Sequence, residues 1–363
     1  MRQKKLINFD IFLFLLVLAA SLYGIVAIYS ATRSFGTNSN VIIQLASMLM
    51  GTGAMLAITF FDYEQLEVFL KPVAGACIFL LILVLIIGKS GNWGAQSWIR
   101  IGPIGIQPSE IAKIGFILTF GYHLSKVNVN EPKNIFFLIL HLVVPIALIM
   151  LQPDAGSAMV FVFIFMLMIF AAGISFKYII PAITLGLVSL PLIYQFLLSD
   201  YQKHRILVFL NPELDKLGSG YNVIQSKISV GSGGFFGKGY LMGTQNQLGF
   251  LPTKHTDFIF SVISEELGFI GAGLVIILLF AIIFRCLKTA GNAQTSFGKY
   301  ICTGVSAMLI FHTVENIGMC MGMLPVTGIP LPFFSYGGTS LITNFIAIGL
   351  VMSVSIHSIK RKF

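Results

Sequence analysis

The sequence predicts an all-α, polytopic membrane protein with about ten transmembrane helices and one large extracytoplasmic loop. The 363 residues are 56% hydrophobic and only 10% charged, whereas soluble domains are about 25% charged. The mean hydropathy is +0.90. Apolar stretches of the roughly 20 residues that cross a hydrocarbon core recur from one end of the chain to the other, and they leave no room for a second globular domain. We therefore expect residues 1–363 to form one membrane domain.

Apolar segments between polar breaks define the predicted spans. In chain order they cover about residues 10–30, 41–60, 69–88, 109–125, 136–151, 157–173, 178–198, 258–284, 300–321 and 334–357. Because the number of spans is even, both termini are predicted on the same side of the membrane.

Basic residues orient this arrangement. Those on the side of the termini are Arg2, Lys4, Lys5, Lys71, Lys126, Lys133, Lys177, Arg285, Lys288, Lys299, Lys360, Arg361 and Lys362. The short loops of the other side carry only Arg33, Lys89 and Arg100. Since cytoplasmic loops carry the excess of lysine and arginine, both termini are predicted to be cytoplasmic.

A long segment, about residues 199–256, falls on the outer side and is basic. Its charged residues are Lys203, Arg205, Lys216, Lys227, Lys238 and Lys254 against Asp200, Glu213 and Asp215. Long loops are exempt from the orientation rule, so the basic excess has another cause. Attraction to anionic lipid headgroups is one explanation. The other is a site for an anionic substrate, because lysine and arginine suit phosphate or diphosphate.

The outer loop ends at a sharp change from polar to apolar residues around Asp257. We predict Thr256 as the helix N-cap and Asp257 as the first helical residue. The helix dipole, with Lys254 and His255 nearby, favours an ionised carboxylate. Asp257 is thus a candidate general base, although a carboxylate that merely caps the helix gives the same pattern. Glu265 and Glu266 follow about 12 Å further along this helix, where carboxylates are usually paired or functional.

Two other outer segments carry polar residues beside apolar spans. Trp98 lies in one of them, together with Trp93, and interfacial anchoring explains tryptophan there as well as a binding role does. Glu110 and Lys113 are three residues apart on a predicted helix and are expected to pair, either to fix helix packing or to line a polar cavity. Asp154 lies in a tight turn, where it either caps the next helix or belongs to the site.

Several enzyme classes find no support. The glycine-rich run 231–239 lacks the residues of a nucleotide-binding phosphate loop, and the sequence has no GxSxG or HExxH motif, which argues against ATPases, serine hydrolases and zinc proteases. The glycines of residues 231–239 are better explained by a flexible backbone that closely approaches a ligand or neighbouring helices. Nothing in the sequence indicates a nucleic-acid partner.

These motifs, taken together, resemble the SEDS family (shape, elongation, division and sporulation proteins) over essentially the whole chain. The segments that carry the resemblance are 94–98 (GAQSW), 107–113 (QPSEIAK), 152–157 (QPDAGS), 204–206 (HRI), 218–221 (GSGY), 231–240 (GSGGFFGKGY), 255–260 (HTDFIF) and 335–340 (SYGGTS) with Asn344. Segments 243–248 and 324–332 look like the elongation-type members rather than the division-type members. At Thr253 the chain lacks a glutamate that the family usually has.

The resemblance implies a ten-helix glycosyltransferase in the bacterial plasma (inner) membrane that polymerises lipid II, the undecaprenyl-diphosphate disaccharide-pentapeptide, into peptidoglycan strands. It also implies a class B penicillin-binding protein as the transpeptidase partner. The essential loop aspartate of the family falls on Asp257, and its functional outer-loop tryptophan falls on Trp98.

Transfer of a sugar from a lipid diphosphate needs a base and a positively charged site for the leaving group. We predict Asp257 as the base. Predicted to bind substrate are Trp98, Glu110, Lys113, Asp154, Arg205, Lys227, Lys238, Lys254 and His255. No cofactor is certain, although a divalent cation, Mg²⁺ or Mn²⁺, is compatible with the chemistry. The Glu110 and Lys113 pair is expected to line a cavity that admits the polyprenyl donor.

Two alternatives remain open at this point. A lipid II flippase would also carry buried charges, such as Glu265, Glu266 and Glu315, but transporters place their sites near the membrane midplane, whereas the densest polar cluster here is at one surface. A non-enzymatic scaffold for cell-wall enzymes would leave the carboxylate and cations of the outer loop unexplained.

Overall fold

The structure is a computed structural model, and it describes residues 9–88, 97–101, 104–198, 200–215 and 218–358. Helices dominate the described residues. In chain order they are α1 (Ile11–Thr32), α2 (Ser39–Phe60), α3 (Leu70–Ile87), α4 (Pro108–Lys126), α5 (Pro132–Met150), α6 (Ala155–Ala171), α7 (Phe176–Leu192), α8 (Asp200–Leu210), α9 (Ser219–Ser232), α10 (Thr244–Gln247), α11 (Ile259–Asn292), α12 (Ser296–Cys320) and α13 (Gly338–His357). An antiparallel pair of strands, β1 (Ile99–Ile101) and β2 (Ile104–Ile106), precedes α4.

The helices confirm the prediction of an all-α, polytopic membrane protein. Within the described residues, seven helices are long and apolar enough to cross a membrane, namely α1, α2, α3, α5, α11, α12 and α13. The shorter apolar helices α6 and α7, together with α4, occupy the remaining predicted spans. The predicted span 258–284 falls short of α11, which continues to Asn292, because hydropathy detects the apolar part of a helix and not its polar end.

Contacts between distant segments define the two ends of the bundle. At one end, the termini end, Arg285 Nη2 lies 2.6 Å from Asp10 Oδ2 and Gln294 Nε2 donates to the carbonyl of Ser358 at 2.9 Å. Both described chain ends therefore lie at the same end of the bundle, as the even number of predicted spans requires. The other end, the loop end, contains residues 200–215 and 218–256, which fold into α8, α9 and α10.

The most buried of the described helices are α4, α12 and α13, which form the centre of the bundle. Helix α13 packs along α2, and α12 packs against α4, α6 and α11. Since these neighbours surround α12, the polar residues near its loop end are held in a rigid frame.

Helix α11 is broken at Gly268, whose backbone has φ 63° and ψ −158°. This conformation is accessible essentially only to glycine. A Cβ at Gly268 would lie 2.3 Å from the amide nitrogen of Gly237, so another chain segment also occupies the space beside the break.

That segment is the glycine-rich run 231–239, here called the glycine segment. Its amides at Lys238 and Gly239 donate to the carbonyls of Glu265 and Glu266, each at 3.0 Å. In return, its carbonyls at Gly234 and Phe235 accept from the amides of Phe269 and Ile270, at 2.9 and 3.3 Å. The glycine segment thus supplies hydrogen-bond partners to the backbone groups that the break frees.

Candidate active site at the loop end

Asp257 precedes α11 and is not part of it. The helix begins at Ile259 with Phe258 at the N-cap position, so the predicted N-cap at Thr256 is wrong. The reason is tertiary: Ser335 Oγ donates to the Thr256 carbonyl at 2.6 Å, and Asn316 Nδ2 donates to the Asp257 carbonyl at 2.8 Å. Side chains of other segments therefore bind the carbonyls that would otherwise start the helix.

The Asp257 carboxylate is partly buried beside Gly328. A Cβ at Gly328 would lie 4.0 Å from Asp257 Oδ2. Burial raises the pKa of Asp257 to about 6, while the positive charge of Arg205 and a hydrogen bond from Thr256 act in the opposite direction. A carboxylate with this pKa is ionised at neutral pH and still basic enough to accept a proton, as a general base must.

Two of the predicted cations contact residues 322–328, the segment that also lies beside Asp257. Arg205 lies on α8, and its Nη1 donates to the carbonyl of Val326 at 2.8 Å. Lys227 lies on α9 with its side chain exposed, and it covers Gly322, where a Cβ would be 3.0 Å from Lys227 Nζ. Arg205, Lys227 and Asp257 thus all adjoin residues 322–328.

Buried hydrogen bonds anchor α9 to the rest of the site. Ser226 Oγ lies 2.7 Å from Ser261 Oγ and donates to the Cys320 carbonyl at 2.7 Å. Because Ser226 precedes Lys227, these bonds fix the position from which the lysine side chain extends.

The other two predicted diphosphate ligands, Lys238 and Lys254, form hydrogen bonds with other residues of the protein. Lys238 Nζ lies 2.8 Å from Glu265 Oε1 and 2.8 Å from Thr244 Oγ1. Lys254 is buried, donates to Ser34 Oγ at 2.8 Å and also contacts the Asn246 carbonyl. Their role as diphosphate ligands stays a prediction, but both ammonium groups already hold the loop in place. Lys216 lies outside the described residues.

Glu265 and Glu266 are buried and accept hydrogen bonds from the loop, and Glu266 also accepts one from α1. Glu266 accepts from Ser30 Oγ at 2.6 Å, from Asn246 Nδ2 at 2.8 Å and from the Leu241 amide at 3.2 Å. Glu265 accepts from the amides of Gln245 and Asn246 in addition to its pair with Lys238. These carboxylates fasten residues 238–247 to α11, a structural use of buried charge.

His255 packs between aromatic rings and does not act as a cation. Its ring centroid lies 5.5 Å from that of Phe35 and 5.5 Å from that of Tyr336. Burial, assisted by the charge of Lys254, lowers the pKa of His255 to about 4, so the ring is neutral at physiological pH. The expectation that His255 favours ionisation of Asp257 is therefore wrong, and Arg205 has that effect instead.

A second polar cluster also lies near Gly328. Lys113 Nζ is 2.7 Å from Glu110 Oε1, which confirms the predicted pair, and 2.8 Å from His312 Nε2. All three side chains are buried. They line a small cavity, together with Gln107, Asp154, Ser157, Val160, Thr327, Gly328, Ile329 and Pro330. This lining is mostly polar, so the cavity does not offer the apolar surface that a polyprenyl chain needs.

Asp154 and Trp98 hold local structure at the loop end. Asp154 Oδ1 accepts from the Ser157 amide at 3.0 Å, so Asp154 caps α6, and it also lines the cavity. Trp98 packs on the pair of strands, where a Cβ at Gly105 would lie 3.0 Å from its ring. Trp93 lies outside the described residues.

His312 is the residue of this cluster that the sequence reading missed. A histidine within an apolar span, three residues before Glu315, is unusual because ionisable groups are costly in a membrane. That cost was the signal available in the sequence. No cluster of three or more His, Cys, Asp and Glu side chains suited to a metal ion occurs in the described part of the chain.

The fold and this site define a polytopic membrane protein with a polar, carboxylate-containing site at one end of its helical bundle. The family model of the cell cycle proteins FtsW, RodA and SpoVE matches residues 10–360. The chain belongs to this family, which confirms the resemblance found in its sequence.

Individual relatives point to the elongation type. The chain is 39% identical to peptidoglycan glycosyltransferase MrdB of Escherichia coli K12 over 354 residues, which cover 97% of this chain and 94% of MrdB. Its structure is similar to a chain of a peptidoglycan synthase complex described as coordinating polymerization and crosslinking, with a TM-score of 0.84, 31% identity and 97% and 99% of the two chains covered. It is also similar to the rod shape determining protein RodA of Thermus thermophilus, with a TM-score of 0.72, 29% identity and 96% of each chain covered.

Proposed function

We propose that this protein is a peptidoglycan glycosyltransferase of the elongation type, acting in cell elongation and the maintenance of rod shape, and that it uses Asp257 as general base to polymerise lipid II. The observation that carries the proposal is the placement of an ionisable, partly buried Asp257 beside Arg205 and Gly328. The names of the relatives support the activity, since MrdB is a peptidoglycan glycosyltransferase.

The proposed reaction joins two lipid-linked sugars. The Asp257 carboxylate accepts the proton of the acceptor hydroxyl, and the hydroxyl oxygen forms a bond to the anomeric carbon of the donor. The bond between that carbon and the lipid diphosphate breaks, and the diphosphate leaves with the bonding electrons. Positive charge beside the leaving group stabilises the transition state.

Arg205 and Lys227 are the cations best placed for the diphosphate, because both adjoin residues 322–328 together with Asp257. A divalent cation, Mg²⁺ or Mn²⁺, is a further part of the proposal. Asp257 offers one carboxylate, and Mg²⁺ is commonly held by one or two carboxylates plus substrate phosphates. Such an ion would neutralise charge on the leaving diphosphate.

We further propose that the loop end faces the outside of the bacterial plasma membrane, with both termini in the cytoplasm. The basic residues near the termini end support this orientation. A class B penicillin-binding protein is the proposed partner, supported by the similarity to a chain of a synthase complex that coordinates polymerization and crosslinking.

The test is polymerisation of lipid II by purified protein, with and without the transpeptidase. Asp257→Asn keeps the side-chain shape but removes the base, so we expect the rate to fall by about 10²-fold or more. Asp200→Asn, an exposed aspartate of the same loop, is the matched control and should retain activity. Unchanged polymerisation by the Asp257→Asn protein would contradict the assignment.

The flippase alternative makes a different demand. Reconstituted vesicles containing a flippase would move lipid II between leaflets without lengthening any glycan. The buried Glu265 and Glu266 do not favour that alternative, because hydrogen bonds to the loop already account for them.

A further inference from the structure

Two buried side chains hold the ammonium group of Lys113. Glu110 Oε1 accepts at 2.7 Å, and His312 Nε2 lies 2.8 Å away. An ammonium group has three N–H donors. The third has no acceptor among the residues that the structure describes, and Lys113 lines the cavity.

The contacts of His312 fix its protonation state and tautomer. Its Nδ1 lies 3.2 Å from the carbonyl of Pro330, which can only accept, so Nδ1 carries the hydrogen. Because the Lys113 ammonium can only donate, Nε2 must accept. His312 is therefore a neutral imidazole that links Lys113 to the segment 325–331. This segment contains Gly328, which lies beside Asp257.

The charges of the cavity indicate what kind of group it binds. Glu110 and Asp154 are acidic, Lys113 is basic, and His312, Gln107 and Thr327 are neutral. Two carboxylates against one ammonium disfavour a diphosphate. A hydroxyl or amide suits the cavity better, because it can accept from Lys113 and donate to a carboxylate.

We propose that His312 is a positioning residue that keeps the third N–H of Lys113 available to a hydroxyl or amide oxygen in the sugar and peptide part of lipid II. This inference rests on the proposed function. It places the diphosphate near Arg205 and Lys227, and the sugar and peptide part at the cavity that Lys113 and Gly328 line.

Three substitutions separate this role from simple anchoring of the segment. His312→Gln places an amide oxygen near the former Nε2 and so retains the acceptor for Lys113. His312→Asn places an amide N–H near the former Nδ1 and so retains only the donor to Pro330. His312→Leu removes both.

The measurement is equilibrium binding of lipid II to Asp257→Asn protein, in which turnover is blocked. His312→Leu and His312→Asn should each weaken binding about tenfold, the effect of one good hydrogen bond, and His312→Gln should restore it. Restoration by Asn but not by Gln would assign His312 to anchoring alone and overturn the proposal. So would unchanged binding by the Leu variant.

A double-mutant cycle tests whether His312 acts through Lys113. Lys113→Met should weaken binding, and His312→Leu should cause no further loss in that background. An additive loss would overturn the proposal. His141→Gln, a substitution of another histidine in a span, is the matched control and should bind normally. The Asp257→Asn protein is first tested for polymer formation from lipid II. Polymer there would contradict the proposed function, whereas the binding comparison without polymer tests only the role of His312.

Discussion

The ionisation of Asp257 reflects two opposing influences at the scale of single residues. Burial raises its pKa to about 6, and Arg205 limits that rise. A general base must be ionised, so the polymerisation rate should decline as the pH falls through about 6.

Removal of the Arg205 charge should move this decline to higher pH. In Arg205→Gln protein the Asp257 carboxylate loses the cation that favours its ionised form, so its pKa rises further. Lys227→Gln is the matched control, because Lys227 is not among the charges that shift the pKa of Asp257. The pH dependence of kcat is measured for both variants. If kcat falls to half its maximum at the same pH in Arg205→Gln and wild-type protein, the expectation is contradicted.

The ion pair of Lys238 and Glu265 is expected to stabilise the folded protein. Glu265 is buried, so Lys238→Met leaves a buried carboxylate without its cation, at a cost of about 3 kcal/mol. We expect a lower thermal unfolding temperature for Lys238→Met and recovery of most of the loss in the Lys238→Met, Glu265→Gln double variant. If the double variant unfolds as early as the single variant, the ion pair does not explain the effect.

Single residues also mark where sequence reasoning stops. The pair of Glu110 and Lys113 was predictable because helical spacing alone brings the two side chains together. The partners of Lys238 and Lys254 depend on contacts over long sequence separations, which no local pattern encodes. His255 appeared cationic beside Lys254 because burial between Phe35 and Tyr336 is invisible in the sequence.

At the scale of elements, the break in α11 depends on glycine. Gly268→Ala should cost about 1–3 kcal/mol for the backbone conformation alone, and its Cβ would also meet the amide of Gly237. Gly273→Ala is the matched control in the same helix, because its Cβ would enter open space. Thermal unfolding of both variants in detergent tests the prediction, and equal stability would show that the break tolerates a side chain.

The start of α11 shows how an element boundary escapes a local pattern. The change from polar to apolar residues located the region of Asp257 within two residues. The acceptors at Thr256 and Asp257 are bound by Ser335 and Asn316, which lie in distant parts of the chain. The glycine-rich run lacks the residues of a phosphate loop, but its pairing with Gly268 could not be derived from either segment alone.

At the scale of the whole molecule, the bundle has two chemically different ends. The span pattern was predictable because each crossing of a hydrocarbon core needs a long apolar run. Which end faces outward is a prediction from charge, and it can be measured directly.

Single cysteines in a protein without its four native cysteines should reveal the orientation. We expect Thr37→Cys at the loop end to react with a membrane-impermeant maleimide added to spheroplasts. Asn128→Cys at the termini end should react only after the membrane is permeabilised. The reverse pattern would place the candidate active site in the cytoplasm.

The glycine segment has a consequence for the order of biosynthesis. Residues 231–239 leave the ribosome before α11, so the partners for the broken helix are present when that helix enters the bilayer. Unpaired backbone groups are very costly in hydrocarbon. We therefore expect insertion of α11 and closure of the glycine segment around Gly268 to belong to one assembly step.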